Sequence, residues 1–340
     1  MNFKAFLNTT SNKIYTLPIV ILYVTEGCNL RCAMCSYRSR LLNELTINEI
    51  DKLAGELADL GLRRIVFSGG EPILRTDLEE ICRIFSKNGV KQTLLTNGVL
   101  VKKKIDILAP YLDELIISID GAAPETHDSI RGVNSLNLII EGIKHTQENF
   151  PALNISFRTV LQKNNFHELN DIIRLGAELG INRVSFLPVD VYSEAFGREH
   201  SDTKVNDNSL LLNEDEINDL RSIINNIDNK LFDNRFVSEP YNKLMGYTDY
   251  FSSALTGNKF PPVYCNAPMM STVITATGDV LPCFFLPKLG NIREKPLPEI
   301  LNGDLAISTR NRVRAFEPER CKTCVCSLNV TKRAALRGNF

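Results

Sequence analysis

The 340-residue chain predicts an α/β fold: a parallel sheet, barrel-like or doubly wound, with a smaller unit behind it. Three observations carry this expectation. Short apolar runs alternate with amphipathic stretches through residues 18–187. The runs are rich in Val, Ile and Leu, which suits strands buried on both faces. The rhythm then stops, and a group of cysteines appears near the end of the chain.

The predicted strands are 19–25, 64–68, 92–96, 114–119, 154–160 and 183–187. Amphipathic segments at 46–60, 77–87, 136–149 and 166–179 predict helices between them. Gly61, Gly89 and Gly180 close three of these, where a helix C-terminus favours a left-handed residue. Loops at the carboxyl ends of the strands are then expected to carry the chemistry. Residues 189–262 are polar and predict one helix, at 213–227, where Asn213 precedes the acidic turn Glu214, Asp215 and Glu216. This stretch reads as a connector over the barrel mouth. From residue 263, STVITA, a TGD turn and VLPCFF predict a β-hairpin. The expected divisions are a core at 1–190, a helical and polar connector at 191–262, and a C-terminal unit at 263–340.

A net charge of -1 excludes a global field that would attract nucleic acid or an anionic membrane. The apolar run 19–24 is too short to span a bilayer, and MNFKAFLNTTSNK lacks the features of a signal peptide. A cytoplasmic protein is expected, where nine cysteines are not a disulfide framework. They are grouped: three at 28–35, five at 265–326, and Cys82 alone in a helix, where it reads as a buried apolar residue. Such grouping points to metal.

Cys28, Cys32 and Cys35 form CxxxCxxC within EGCNLRCAMCSYR. Three thiolates on one loop leave a coordination position open; a zinc site would seek a fourth ligand nearby, and the next histidine is His127. A four-iron cluster held by three cysteines instead leaves one iron free for a small ligand. The stretch CNLRCAMC resembles the signature loop of the radical S-adenosylmethionine superfamily. That resemblance implies a 4Fe-4S cluster whose free iron chelates S-adenosylmethionine. Reductive cleavage then yields a 5'-deoxyadenosyl radical that abstracts a hydrogen atom. Met34 stands where the family usually has an aromatic residue, at a loop whose backbone meets adenine.

Further stretches resemble the same family in order. FSGGEP supplies Gly69, Gly70, Glu71 and Pro72, with glycines that let backbone approach a ligand and a carboxylate that accepts from an ammonium. LLTNG places Thr96 and Asn97 at a strand mouth, and ISIDG offers Ser118 and Asp120 to the ribose and methionine groups. Arg131, in PETHDSIRG, resembles the arginine that holds the ligand carboxylate. Arg158 and Asn164 are weaker candidates of the same kind, Leu187 is a candidate to pack on adenine, and His127 reads as a loop or capping residue. The resemblance covers about residues 18 to 190 and implies a partial (β/α)6 TIM barrel.

Cys265, Cys283, Cys321, Cys324 and Cys326, with Gly278 ahead of Cys283 in GDVLPC, resemble the auxiliary-cluster domains called SPASM (two clusters) and twitch (one). Five thiols cannot fill two four-cysteine sites, so the twitch form fits better. One auxiliary 4Fe-4S cluster is implied, on Cys265, Cys283, Cys321 and Cys324, with Cys326 as an alternative ligand. A structural zinc site is the competing reading. The function implied is a radical oxidoreductase of dehydrogenase type. Its substrate would be a polyol, aminosugar or nucleotide-like small molecule, with a flavodoxin- or ferredoxin-type reductant and the auxiliary cluster assisting electron transfer. The short segment before the first strand and the single auxiliary cluster favour that substrate class. A peptide- or protein-modifying maturase is the alternative, and a non-catalytic iron–sulfur or zinc module the reading from a different class. Asp190, Tyr192 and Glu194 are candidates for substrate contact or proton removal.

Overall fold

The computed structural model describes residues 3–38, 41, 43–198 and 208–338, so 199–207 of the expected connector lie outside the described residues. The expected strands form as β1 (Ile19–Thr25), β2 (Arg64–Gly69), β3 (Lys91–Thr96), β4 (Glu114–Ser118), β5 (Asn154–Leu161) and β6 (Arg183–Pro188). Each pairs in parallel with the next. A sheet that never reverses its strand order is barrel-like rather than doubly wound. β1 and β6 do not pair with each other, so the barrel is open.

Period-2 alternation gives the sheet two unequal faces. Leu22, Phe67, Leu94, Ile117, Phe157 and Phe186 are wholly buried beneath the helices. On the other, concave face Ile21, Val66, Leu95, Ile116, Val160 and Leu187 are only half-buried. Apolar residues lie on both faces, which is why the sequence looked buried on both sides; the concave one stays partly exposed. Its amino-terminal end is closed by a polar network. Glu114 pairs with Arg64 (3.4 Å) and Arg183 (3.0 Å), and accepts from Ser156 Oγ (3.0 Å).

The first residues of the connector return to the cysteine loop at the mouth, and its later part covers the free edge of β6. Val184 N donates to Phe236 O (2.7 Å), Ser238 N to Val184 O (2.9 Å), and Phe186 N to Glu239 Oε2 (2.9 Å). The helix Tyr241–Thr256 then lies across this edge, with the Tyr247 and Tyr250 hydroxyls donating to Phe186 O and Val189 O, both at 2.9 Å. Such cover removes the unpaired backbone of an edge strand. The expected connector helix forms as Glu214–Asn225 with a complete capping box on Asn213. The helix Tyr241–Thr256 was not foreseen, because Pro240 at its start supplies no side-chain cap.

The hairpin is present as β7 (Ser271–Ile274) and β8 (Asp279–Leu281), with β9 (Gly290–Asn291) beyond it. β7 also pairs in parallel with β1, Ile19 opposite Ser271 through Leu22 opposite Ile274. The C-terminal strands therefore continue the barrel sheet. After β9, Arg293 reaches back to the helix Ile47–Asp59, its Nε 2.5 Å from Glu49 Oε1. The Arg293 hydrogen bond holds the Glu49 carboxyl down at about 2. A depressed carboxylate contributes stability above its unfolded pKa and loses it as pH falls toward the folded one. The contribution of this pair is therefore complete above about pH 5 and fades between about 4.5 and 2. Both side chains are a third exposed, so it is worth no more than about 1 kcal/mol. Urea titrations at pH 7 and pH 3 check this: Arg293→Ala is expected to lose less stability than the wild type on acidification.

Candidate functional site

The three-cysteine loop follows β1, where the strand-end rule places it. Its entry is fixed by Glu44, which accepts from Thr25 Oγ1 (2.6 Å) and Glu26 N (3.1 Å). Its far side rests on the helix Pro124–Arg131, through Arg31 N to Arg131 O (3.2 Å) and Ala33 N to Ile130 O (3.0 Å). Leu30 N donates to Cys28 Sγ (3.5 Å), and Cys28, Cys32 and Cys35 are all free thiols. Burial raises Cys28 to about 11 and raises Cys35 as well. Among the described residues no three ligating side chains converge as they would on a single ion. A multi-iron cluster takes one thiolate per iron and needs no such convergence. Three soft donors, with neither a histidine nor a carboxylate among them, fit iron–sulfur chemistry.

Gly69 and Gly70 pack their Cα atoms against the backbone at the end of β1 and the start of the cysteine loop. A Cβ on Gly69, whose φ is +121°, would lie 2.1 Å from Thr25 O; one on Gly70 would lie 2.3 Å from Gly27 O. Gly70 N and Glu71 N donate to Thr25 O and Gly27 O, both at 2.8 Å. Gly70→Ala is therefore expected to cost about 1–3 kcal/mol and to impair iron loading, checked by thermal melting and iron content after reconstitution. Arg75, not singled out from the sequence, clamps the same junction by donating to Val24 O and Leu45 O, both at 2.6 Å.

Glu71 is almost wholly buried. Oε1 accepts from Thr96 Oγ1 (2.7 Å) and Ile73 N (3.1 Å), and Oε2 from Asn97 N (2.7 Å). One acceptor position on Oε2 stays open. Burial raises its pKa, against the pull of these donors. Pro72 opens the short 3-10 turn behind it, and Asn97 Nδ2 reaches Asn29 in the cysteine loop (2.8 Å). GGEP and TNG thus form one network around the loop.

Asp120 and Arg131 form a buried ion pair of 2.7 Å. Asp120 Oδ1 accepts from Val160 N (2.9 Å), so this carboxylate is anchored in the fold rather than offered to a ribose. Arg131 Nη1 approaches Cys32 Sγ (3.8 Å), and its buried Nε has no hydrogen-bond partner. Burial alone would lower the Arg131 pKa; Asp120 and Cys32 more than offset this. His127 is wholly buried and held neutral, its pKa pushed down by burial to about 3, and its Nδ1 accepts from Asp120 N (3.2 Å). Ser118 is half-buried on the concave face, Leu187 lies half-buried two strands away, and Asn164 is exposed.

The proton-removal candidates separate. Asp190 is buried, pairs with Arg198 (3.3 Å), and accepts from Tyr192 N, Ser193 N and Ser193 Oγ. It is committed to its own loop and is not a free base. Tyr192 is half-buried against Phe260, and Glu194 is exposed. Reasoning from sequence missed the purpose of this segment, which straps the cysteine loop. Phe196 O accepts from Ser36 N (2.9 Å), and Arg198 Nη2 donates to Met34 O (3.3 Å). Phe196 holds a φ of +64°, a costly conformation for a bulky residue, and its ring meets Phe285 beside Cys283.

The C-terminal cysteines lie within electrostatic reach of one another. Cys283 feels Cys265 and Cys321, and Cys324 feels Cys265 and Cys283; burial raises Cys283 to about 12 and Cys321 to about 11. Cys326 lies within electrostatic reach of Arg158 and Lys243. Cys82 is wholly buried in the core.

An open parallel barrel carries three thiols on its first loop, and a second cysteine group lies in the C-terminal unit whose strands continue its sheet. The chain belongs to the radical SAM superfamily, whose model matches residues 22–176, and residues 265–325 match the SPASM iron–sulfur cluster-binding domain. The AdoMet-dependent heme synthase of Methanosarcina barkeri is 30% identical over 82% of this chain and 80% of its own. The antilisterial bacteriocin subtilosin biosynthesis protein AlbA of Bacillus subtilis is 26% identical over 88% of this chain and 63% of its own. Streptococcus suis SuiB bound to precursor peptide SuiA shares the fold. Its TM-score is 0.67 at 18% identity, over 94% of this chain and 73% of that one. Membership brings a 4Fe-4S cluster with S-adenosylmethionine at the core and iron–sulfur binding by the C-terminal cysteines. No helix among the described residues is long and apolar enough to cross a membrane.

Proposed function

We propose that this enzyme modifies a peptide or protein side chain by radical oxidation. The observation that carries the reading is likeness to AlbA along 88% of the chain, across both cysteine groups. The partly exposed concave face agrees with it, since an extended chain can lie along a half-buried apolar surface. The small-molecule reading has less support than this alternative.

When bound, the first cluster supplies the electron that cleaves S-adenosylmethionine to a 5'-deoxyadenosyl radical. In the proposed site Cys28, Cys32 and Cys35 hold that cluster, and the open acceptor position on Glu71 Oε2 takes the ammonium of S-adenosylmethionine. Arg131, oriented by Asp120, has a free buried Nε for the carboxylate. Ser118 and the Met34 backbone face the ribose and adenine. Cys265, Cys283, Cys321 and Cys324 would hold one auxiliary cluster, which would supply an acceptor for the substrate's second electron. The dehydrogenase-like subtype and a flavodoxin- or ferredoxin-type reductant belong to the same proposal.

The test is the rate of 5'-deoxyadenosine formation by reduced, reconstituted protein given a random decapeptide library or, separately, iron coproporphyrin. Stimulation by peptides, with a two-hydrogen mass loss in a subset, is expected. Stimulation by the tetrapyrrole alone would overturn the reading in favour of chemistry like that named for the Methanosarcina relative.

A further inference from the structure

Arg131 and Arg158 act on different cysteines. The electrostatic neighbours of Arg131 are Asp120, Cys32 and Cys35. Those of Arg158 are Cys326, Glu239 and Tyr247. Arg158 stands on β5 between Phe157 and Thr159, both wholly buried on the helix side, so its side chain projects onto the concave face. There it lies between Ser118 of β4 and Ser185 of β6. Arg64 and Arg183 of the lumen floor and Arg131 at the mouth are all ion-paired. Arg158 is half-buried and has no side-chain hydrogen bond or ion pair among the described residues.

A second cation faces the same place. Lys243, Tyr247 and Tyr250 occupy one face of the helix Tyr241–Thr256 at i, i+4 and i+7. The two tyrosine hydroxyls bond the backbone of β6 and its exit, which turns this face toward the sheet edge. Lys243 is half-buried, has no side-chain partner among the described residues, and acts with Arg158 on Glu239 and Cys326. Glu239 is the nearby acid, and it spends Oε2 on Phe186 N; it can balance at most one of the two charges. Cys326, on which both cations act, is an exposed free thiol. Partly desolvated cations without a counter-ion are unfavourable until an anion joins them. A planar guanidinium with an ammonium beside it suits a carboxylate.

We infer that Arg158 and Lys243 anchor a carboxylate of the substrate beside the C-terminal cysteines, apart from the Arg131 site. This reassigns Arg158 from the cofactor to the substrate. Its chemical source rests on the peptide reading: an acidic side chain or a C-terminal carboxylate. The probes are N-acetylglutamate N-methylamide, its glutamine counterpart, and N-acetylglycine, titrated by saturation-transfer NMR into the reconstituted holoenzyme with S-adenosylmethionine bound. The glutamate or glycine probe is expected to bind about tenfold more tightly than the glutamine probe, the difference of one charged hydrogen-bonded contact. Whichever carboxylate binds better names the source. Arg158→Gln and Lys243→Gln are each expected to erase the preference, and Arg158→Lys to keep part of it. In all three variants S-adenosylmethionine binding by equilibrium dialysis stays within about twofold of wild type. Equal binding of the acid and amide probes to the wild type would overturn the inference. So would a loss of S-adenosylmethionine affinity in Arg158→Gln, since that makes Arg158 a cofactor residue. Carboxylate preference in a protein whose turnover ignores peptides would leave the anchor standing and remove the peptide reading alone.

Discussion

Changing Cys28, Cys32 and Cys35 together to alanine is expected to lower iron from about eight to about four per chain and to abolish 5'-deoxyadenosine formation. The protein must be purified without oxygen and reconstituted, with iron, sulfide and zinc counted. The loop's backbone anchors run through Glu44, Arg131 and Phe196 O rather than through the thiols, so the fold survives the substitution. Cys82→Ala, in the core, is the control and should leave the iron count unchanged. A wild type holding about four irons and one zinc would make the C-terminal site structural and remove its electron-accepting part. The three-cysteine chemistry would be untouched.

Arg131→Met is the substitution with the largest expected cost to stability. It leaves Asp120 wholly buried, with Val160 N as its remaining donor. Breaking one side of a buried pair costs about 3–5 kcal/mol, because the abandoned charge stays desolvated. The double variant Asp120→Asn with Arg131→Met should recover part of that loss in urea unfolding at pH 7. Neither variant should bind S-adenosylmethionine at the wild-type level, since the guanidinium is gone from both. Recovery of binding in the double variant would mean that Arg131 is only a structural counter-ion.

The six core strands were legible because each carries a short Val/Ile/Leu-rich or aromatic cluster bounded by polar residues or glycine, a local signal that needs no partner. GGEP, TNG and IRG were legible as chemistry, but not in their geometry. Gly69 and Gly70 fit against Thr25 and Gly27, residues remote in sequence, and nothing local announces that packing. Asp190 looked like a free acid because its partner, Arg198, becomes a partner only when the loop folds back over Met34. The helix Tyr241–Thr256 hides behind Pro240 and a polar, tyrosine-rich composition, and its amphipathic logic becomes visible only once β6 offers two carbonyls. The pairing of β7 with β1 joins strands some 250 residues apart, and parallel pairing leaves no turn signature.

That pairing has a thermodynamic consequence. A unit tethered by a linker can melt by itself, but one that shares a hydrogen-bonded ladder with its neighbour cannot. Removing β7 would bare the backbone of β1, the strand that launches the cysteine loop. The two cysteine groups should therefore belong to one cooperative block, protected together in amide exchange and lost together on heating. The C-terminal unit is not an interchangeable module: transplanting it means rebuilding the first strand that receives it.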